Sequence, residues 1–238
     1  MNGGKRFYRD AVAAPADAGG FVVLLDGRPI RTPAGQRLRL PVPALAEAVA
    51  GEWAAQEDLI RPETMPLTRL AATAVDRVAA ERPAVVEMLV GYGGSDLLCY
   101  RAPEPPDLAL RQHRCWQPLL DWAHARFGAA LVATEGVMPV AQPAEAIAAL
   151  ACAVDELDDL ELTAVATVAQ ATGSLIIALA LVTGRIDDGM ALTAAEQDAD
   201  YQAERWGELA EITDRRRRLA RDITDASRFV TLARRGAA

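Results

Sequence analysis

Residues 21–53, FVVLLDGRPIRTPAGQRLRLPVPALAEAVAGEW, contain the change of pattern that decides the fold. Two runs rich in branched residues flank Asp26-Gly27, and an Asp-Gly pair in that setting is a strong signal for a two-residue hairpin. Pro33, Ala34 and Gly35 mark a second turn before Leu38-Arg39-Leu40. Arginine alternates with leucine from Arg37 to Leu40, so one face of this small antiparallel meander is buried and the other is basic and wet. From Pro41 onward the apolar period lengthens from two to about 3.6. Pro43 suits the first turn of a helix, and Leu45, Ala48, Val49 and Trp53 form its stripe.

Further along, Pro62 and Pro66 punctuate the chain before a second stripe of Leu67, Leu70, Ala71, Ala74, Val75 and Val78. Pro83 can start a third helix bearing Val85, Val86 and Leu89. GYGGS at 91–95 breaks the helical pattern, and with APEPPD at 102–107 it brackets the expected domain boundary. The expected architecture is α+β: a strand-containing domain over residues 1–100, then an all-helical domain over residues 101–238. In the second part Asp107 reads as the N-cap of a helix carrying Leu108, Cys115, Leu119, Ala123 and Phe127. Gly128 stops that helix and Pro118 should kink or restart it. Pro143 opens another helix, with Ile147, Leu150, Ala151, Val154 and Leu157. TAAE at 193–196 reads as the capping box of one last charged helix, with Trp206, Leu209, Leu219, Ile223, Ala226 and Val230 inward and Trp206 as a core anchor. Residues 162–184 carry no charge, but Thr163, Thr167, Gln170, Thr172, Gly173 and Ser174 interrupt them. A buried core helix preceded by a break near Gly173 fits better than a membrane span.

Composition narrows the class. With 238 residues, 51% of them hydrophobic, the chain has enough apolar mass for a real core. Forty-nine alanines and 5% aromatic residues favour helices. A formal charge of −8 argues against a protein built mainly to hold nucleic acid or an anionic membrane. The charge is uneven: residues 1–40 hold seven basic and three acidic groups, net +4, leaving −12 for the rest. Cys99, Cys115 and Cys152 are odd in number and widely spaced, which fits a reducing compartment. The first residues lack the apolar core of a secretory signal, and a cytoplasmic protein is expected.

Catalytic chemistry is sparse. His113 and His124 lie about three turns apart on one predicted helix and cannot clamp one metal from it. His113 and Cys115, two apart, point in different directions. Ser95 in GGSD lacks the following glycine of a nucleophile elbow. The acidic run Asp155, Glu156, Asp158, Asp159 and Glu161 reads as solvated carboxylates at a helix start rather than a magnesium site. The arginines at 215–218 match nearby acids at helical spacing, Glu211 with Arg215 and Asp214 with Arg218, so a self-paired face is expected rather than an RNA site. Arg28 and Arg31, beside the Asp26-Gly27 turn, are candidates to steer an acidic partner, and simple solubility explains them as well. A binding or assembly protein therefore outranks an enzyme, and no metal or cofactor is expected.

The strings KRFYRDAVAA, LDGRPIRTPAG, LRLPVPALAEAVAGEWAAQ, IRPETMPLTRLAATAVDRV, SDLLCYRA, WQPLLDWA, GSLIIALAL and YQAERWGELAE occur in this order between Lys5 and about Leu232. Together they resemble the family of assembly chaperones of the F-type ATP synthase catalytic head, those that bind the alpha subunit. The resemblance implies a smaller N-terminal domain of strands and helices, a helical C-terminal domain, and no catalytic activity. It also implies that the protein holds the alpha subunit until the beta subunit replaces it. An acidic residue shortly after a Trp-Gly pair matters in that family, which points to Glu211, with Glu208 as the nearby candidate and Trp206 and Gly207 as markers. Leu209 stands where many relatives carry an aspartate. The alternative reading is an RNA-binding module that uses residues 5–40 with Phe7, Tyr8 and Phe21. A hydrolase around Ser95 is weaker still, for want of a histidine partner.

Overall fold

The computed structural model describes residues 4–17, 19–207 and 210–235. They fall into two compact units. One holds the chain up to Arg82 together with Asp159–Thr163 and the segment from Arg228 onward; the other holds Pro83–Asp158 and Ala164–Ser227. The α+β class expected from the sequence is the class the chain adopts.

In the first unit, strands β1 (Ala11–Pro15) and β2 (Phe21–Leu25) pair antiparallel from Ala11↔Leu25 to Pro15↔Phe21. The Asp26-Gly27 turn forms as expected. Asp26 has φ 47° and Gly27 φ 80°, the paired left-handed values whose twist matches that of the strands they join. β3 (Arg28–Pro29) returns along β2, but β4 (Arg39–Leu40) does not continue outward past it as a simple meander would. It pairs with Phe21–Val22 of β2, the part of that edge which the two-residue β3 leaves uncovered. Leu38 and Leu40 are buried and Arg37 and Arg39 exposed, as their alternation predicts.

Helix α1 (Pro43–Ala54) begins with Pro43 in its first turn and packs Leu45, Ala46, Val49 and Ala50 against β1 and β2. Each fully buried side chain of leucine or valine size contributes about 1.5–3 kcal/mol. Glu52 serves the next element. Its carboxylate accepts the backbone N–H of Leu67 (2.7 Å) and of Thr68 (2.8 Å), and so caps α2 (Pro66–Thr73), which has no cap of its own.

The second unit is organised around α7 (Leu175–Val182), every residue of which is buried. The helix before it, α6 (Asp159–Thr172), stops at Gly173, whose φ of +73° reverses the chain where the sequence signals a break. Among the described residues no helix is long and apolar enough to cross a membrane. Asp96, fully buried, lies at the start of α7: it accepts the Ser174 hydroxyl (2.7 Å) and the Ile176 N–H (3.0 Å), and on its own side the Leu98 N–H (3.0 Å). Ser174 in turn caps α7 by accepting the Ile177 N–H at 3.0 Å.

Several expectations need correction. Helix α3 (Arg82–Gly94) runs through GYGG instead of breaking there. Gly93 is a packing position: a Cβ on it would lie 2.7 Å from Leu150 Cδ1 and 3.4 Å from Leu175 Cδ2. Helix α4 (Pro106–Phe127) passes unbroken through Pro118. It starts from Pro105 and Pro106, not from an Asp107 cap, and ends at left-handed Gly128 as predicted. The part expected to be all-helical contains one short parallel pair, β5 (Tyr100–Arg101) with β6 (Thr134–Glu135). After α5 (Ala144–Asp155) and the α6–α7 pair, the single charged helix predicted at the end is three: α8 (Asp188–Ala195), α9 (Gln197–Trp206) and α10 (Ala210–Arg234). Thr193 lies inside α8 and is no cap. Asp187 caps α8 instead, accepting the Met190 N–H at 2.8 Å, and Gly207 with φ 84° ends α9.

Burial pushes the Asp96 carboxyl up from 3.8 to about 6. A folded-state pKa above the unfolded one means that Asp96 adds most stability below pH 3.8 and that this contribution is lost as pH rises through about 6. The stability of the native protein relative to Asp96→Asn should therefore fall by roughly 3 kcal/mol over that window. Urea unfolding of both proteins across the pH range measures it, and a constant difference would contradict the assignment. Gly93→Val should cost about 2–3 kcal/mol in the same assay, because Leu150 and Leu175 must move.

Candidate functional site

The residues singled out from the sequence lie in two places, one in each unit. In the first unit Arg28 belongs to β3, and Arg31 forms an isolated bridge with Arg37. Both are exposed. Arg31 Nη1 donates to the Gly35 carbonyl at 2.7 Å. Asp26 accepts the backbone N–H of Asp10 (3.0 Å) and of Arg9 (3.1 Å), bonds that hold its carboxyl below the usual carboxylate range. Beside the turn, Phe7 is 75% exposed while Tyr8 is buried. The Tyr8 ring stands edge-on to Phe7 (centroids 5.3 Å apart) and to Trp53 (5.7 Å), and its hydroxyl donates to the Trp53 carbonyl at 2.7 Å. A cavity of ≈ 500 Å³ opens among these residues.

In the second unit Trp206 ends α9 and is 76% exposed, so it is not the core anchor its place in the stripe suggested. Tyr201 takes that role, at 3% exposure. Five helical residues turn through about 140° relative to one another, so when Tyr201 faces inward Trp206 faces out. Two ion pairs clamp α9 to α4. Asp107 accepts the Tyr201 hydroxyl (2.8 Å) and Arg205 (2.7 Å), and Arg111 Nη1 lies 2.8 Å from both carboxylate oxygens of Glu204. The Tyr201 hydrogen bond and the Arg205 charge hold the Asp107 carboxyl below its ordinary value.

Glu211 lies exposed in the first turn of α10 and has no ion-pair partner among the described residues. Its expected partner, Arg215, reaches instead to Glu196 at 2.7 Å, Arg216 contacts Asp200, and Asp214 pairs with Arg217 at 3.3 Å. Two of these pairs thus cross from α10, to Glu196 between α8 and α9 and to Asp200 of α9, while Asp214 with Arg217 runs along α10 itself. Glu196 has only 1% exposure, and its Oε2 has no hydrogen-bond partner among the described residues. Sequence spacing missed this carboxylate, because nothing local marks it as buried. Glu208 and Leu209 lie outside the described residues.

The groups that could support other chemistry are not arranged for it. His113 and His124 are both exposed, and among the described residues no three His, Cys, Asp or Glu side chains cluster as metal ligands. Asp159 and Glu161 of the acidic run sit in the first turn of α6 and pair with Arg82 (2.7 Å) and Arg234 (2.5 Å). The Ser95 hydroxyl donates to the Gly91 carbonyl at 3.4 Å. Burial and the neighbouring Asp96 push the Cys99 thiol up to about 12, and burial raises that of Cys115, opposite to what a nucleophilic thiol needs.

The described residues thus present an exposed tryptophan, an acid five residues beyond it with no ion-pair partner among them, and an aromatic cavity with Arg28 and Arg31 in its wall. Residues 5–124 match the sequence model described as ATP12 chaperone protein. Atp12 from Paracoccus denitrificans is 43% identical and superposes with a TM-score of 0.92, over 97% of this chain and 98% of that one. An aspartate-to-lysine mutant of the Paracoccus denitrificans protein is 42% identical, with the same score and coverage. The mitochondrial protein atp12 of Schizosaccharomyces pombe is 23% identical over 217 residues, 86% of this chain and 74% of its own length. The chain belongs to the ATP12 chaperone family, chaperones of ATP synthase assembly.

Because Trp206 is solvated and does not pack in the core, Trp206→Ala should shift the thermal midpoint by no more than about 2 °C. Tyr201→Ala should lower it by several times as much. Melting curves followed by circular dichroism distinguish the two.

Proposed function

We propose that this protein binds the newly made alpha subunit of the F-type ATP synthase in the cytoplasm, keeps it from aggregating and yields it to the beta subunit, without catalysis or cofactor. Membership of the ATP12 family carries this reading. The physical need is plain: a subunit made for a ring exposes a large apolar interface until its neighbours arrive, and such surfaces aggregate. A temporary cover must bind that surface less favourably than the permanent neighbour does. Trp206, presented on a clamped helix just before Gly207, suits an interface anchor, since tryptophan is enriched among residues that dominate binding. Glu211, free of Arg215, is available for a cation on the client, and Glu208 lies between them in sequence. Arg28 and Arg31 offer acidic client groups a second point of attachment. The net charge of −8 disfavours the alternative of RNA binding.

The test is light scattering of diluted alpha subunit with and without the protein, followed by size-exclusion chromatography and addition of beta. Suppressed scattering and a complex that beta dissolves are expected. Glu211→Lys should fold normally and weaken capture by about tenfold. Capture of alpha at native strength by the folded variant would remove Glu211 from the interface, and failure of the native protein to hold alpha would remove the function.

A further inference from the structure

The first unit carries two neighbouring cavities. The ≈ 500 Å³ cavity beside Phe7 and a second one of ≈ 190 Å³ share Ile30, Arg31 and Trp53 in their walls. The second continues over Leu38, Met65 and Ala72 and has Arg69 on its wall. Both cavities are mainly apolar; Arg28 and Arg31 stand in the wall of the first, and Arg31 and Arg69 in that of the second. Asp26 is the carboxylate in these walls, and both its oxygens are already committed to backbone N–H groups of Arg9 and Asp10.

The exposure of Phe7 is held in place by the residues around it. Arg6 donates through its backbone to Asp58 (2.9 Å) and through its side chain to the carbonyls of Tyr8 (3.0 Å), Arg9 (2.7 Å) and Gln56. Lys5 bridges Leu59, and Tyr8 is pinned to α1. The backbone on both sides of Phe7 is thus anchored, which reduces the ordering cost of an encounter. Charge selects the occupant. Residues 1–40 carry net +4 in a chain of −8, and Arg28 has no acceptor among the described residues. Guanidinium groups beside apolar cavities favour a partner that brings both an apolar side chain and carboxylates.

We propose that these cavities form a groove that seats an extended segment of the client in which an apolar side chain, inserted between Phe7, Ile30 and Trp53, is flanked by acidic residues that meet Arg28 and Arg31. The assignment rests on the chaperone function proposed above and adds the kind of client sequence this unit selects. The occupant is an unassembled stretch of the client polypeptide, recognised by short-range chemistry rather than by the client's fold.

Short overlapping fluorescent peptides that tile the alpha subunit, titrated against the full-length protein by anisotropy at low and at physiological salt, test this. Peptides with an apolar residue between acids should bind, and more weakly as salt rises. The double substitution Arg28→Glu with Arg31→Glu, and separately Phe7→Ser, should each weaken that binding by about tenfold while the circular dichroism melt is unchanged. Native-strength peptide binding by both folded variants overturns the proposal. So does binding confined to peptides without acids, or to none although the native protein suppresses alpha aggregation. Scattering with the native protein, run in parallel, separates the two claims: failure there defeats the chaperone reading itself, whereas native capture of alpha with undiminished capture by the variants defeats the groove alone.

Discussion

The second unit depends on a buried carboxylate at the start of an apolar helix. Helix α7 offers its first backbone N–H groups where no water reaches them, and an unsatisfied buried donor costs about 1–3 kcal/mol. Asp96 answers the Ile176 N–H and the Ser174 hydroxyl at once, and Ser174 answers Ile177. One residue further along its own chain, the Leu97 N–H reaches the Gly173 carbonyl at 3.1 Å, closing the corner between α6 and α7. The arrangement ties the end of α3 to the core helix through hydrogen bonds that have direction, where side chains of α7 such as Leu179 or Ile176 have none. Desolvation opposes it, which is why the carboxyl is pushed up to about 6.

The first unit uses the same device in a more solvated form. Glu52 of α1 caps α2 across 15 residues of sequence, and its pKa is raised by burial against the pull of the Thr68 and Leu67 hydrogen bonds. Tyr8 fastens the incoming chain to the end of α1, and Asp26 fastens the Asp26-Gly27 turn to the segment before β1. These polar ties join elements distant in sequence around the cavity beside Phe7. Phe7, Arg28 and Arg31 therefore stand on anchored backbone, and in the groove proposed above affinity would come from contact rather than from folding on arrival.

In the second unit exposure follows from helix geometry. The Asp107, Arg111, Glu204 and Arg205 pairs with the Tyr201 ring between them hold one face of α9 to α4, and a helix with one face fixed has no freedom in where it puts the other. Trp206 is outward because Tyr201 is inward. Gly207, with a positive φ that residues with a side chain rarely adopt, then ends the helix. Surface ion pairs of this kind contribute little stability singly, and their role here is to set an orientation.

The sequence by itself determined what depends on neighbours a few residues away. The Asp26-Gly27 hairpin, the alternation of Arg37 to Leu40, the switch to a helical period after Pro41, the break at Gly173 and the Gly128 stop are local, since turn chemistry and amphipathic period act over one turn or one strand pair. Ordered motif strings were enough to indicate the family. Which groups become buried or paired was decided only by tertiary structure. Gly93 looked like a breaker and is a contact, Trp206 looked like core and is surface, Arg215 pairs with Glu196 and not with Glu211, and Asp96 is a buried cap where the sequence shows one acid after a serine. Each of these depends on which helix faces which across many residues of chain, and helical spacing alone contains no information about the opposing surface.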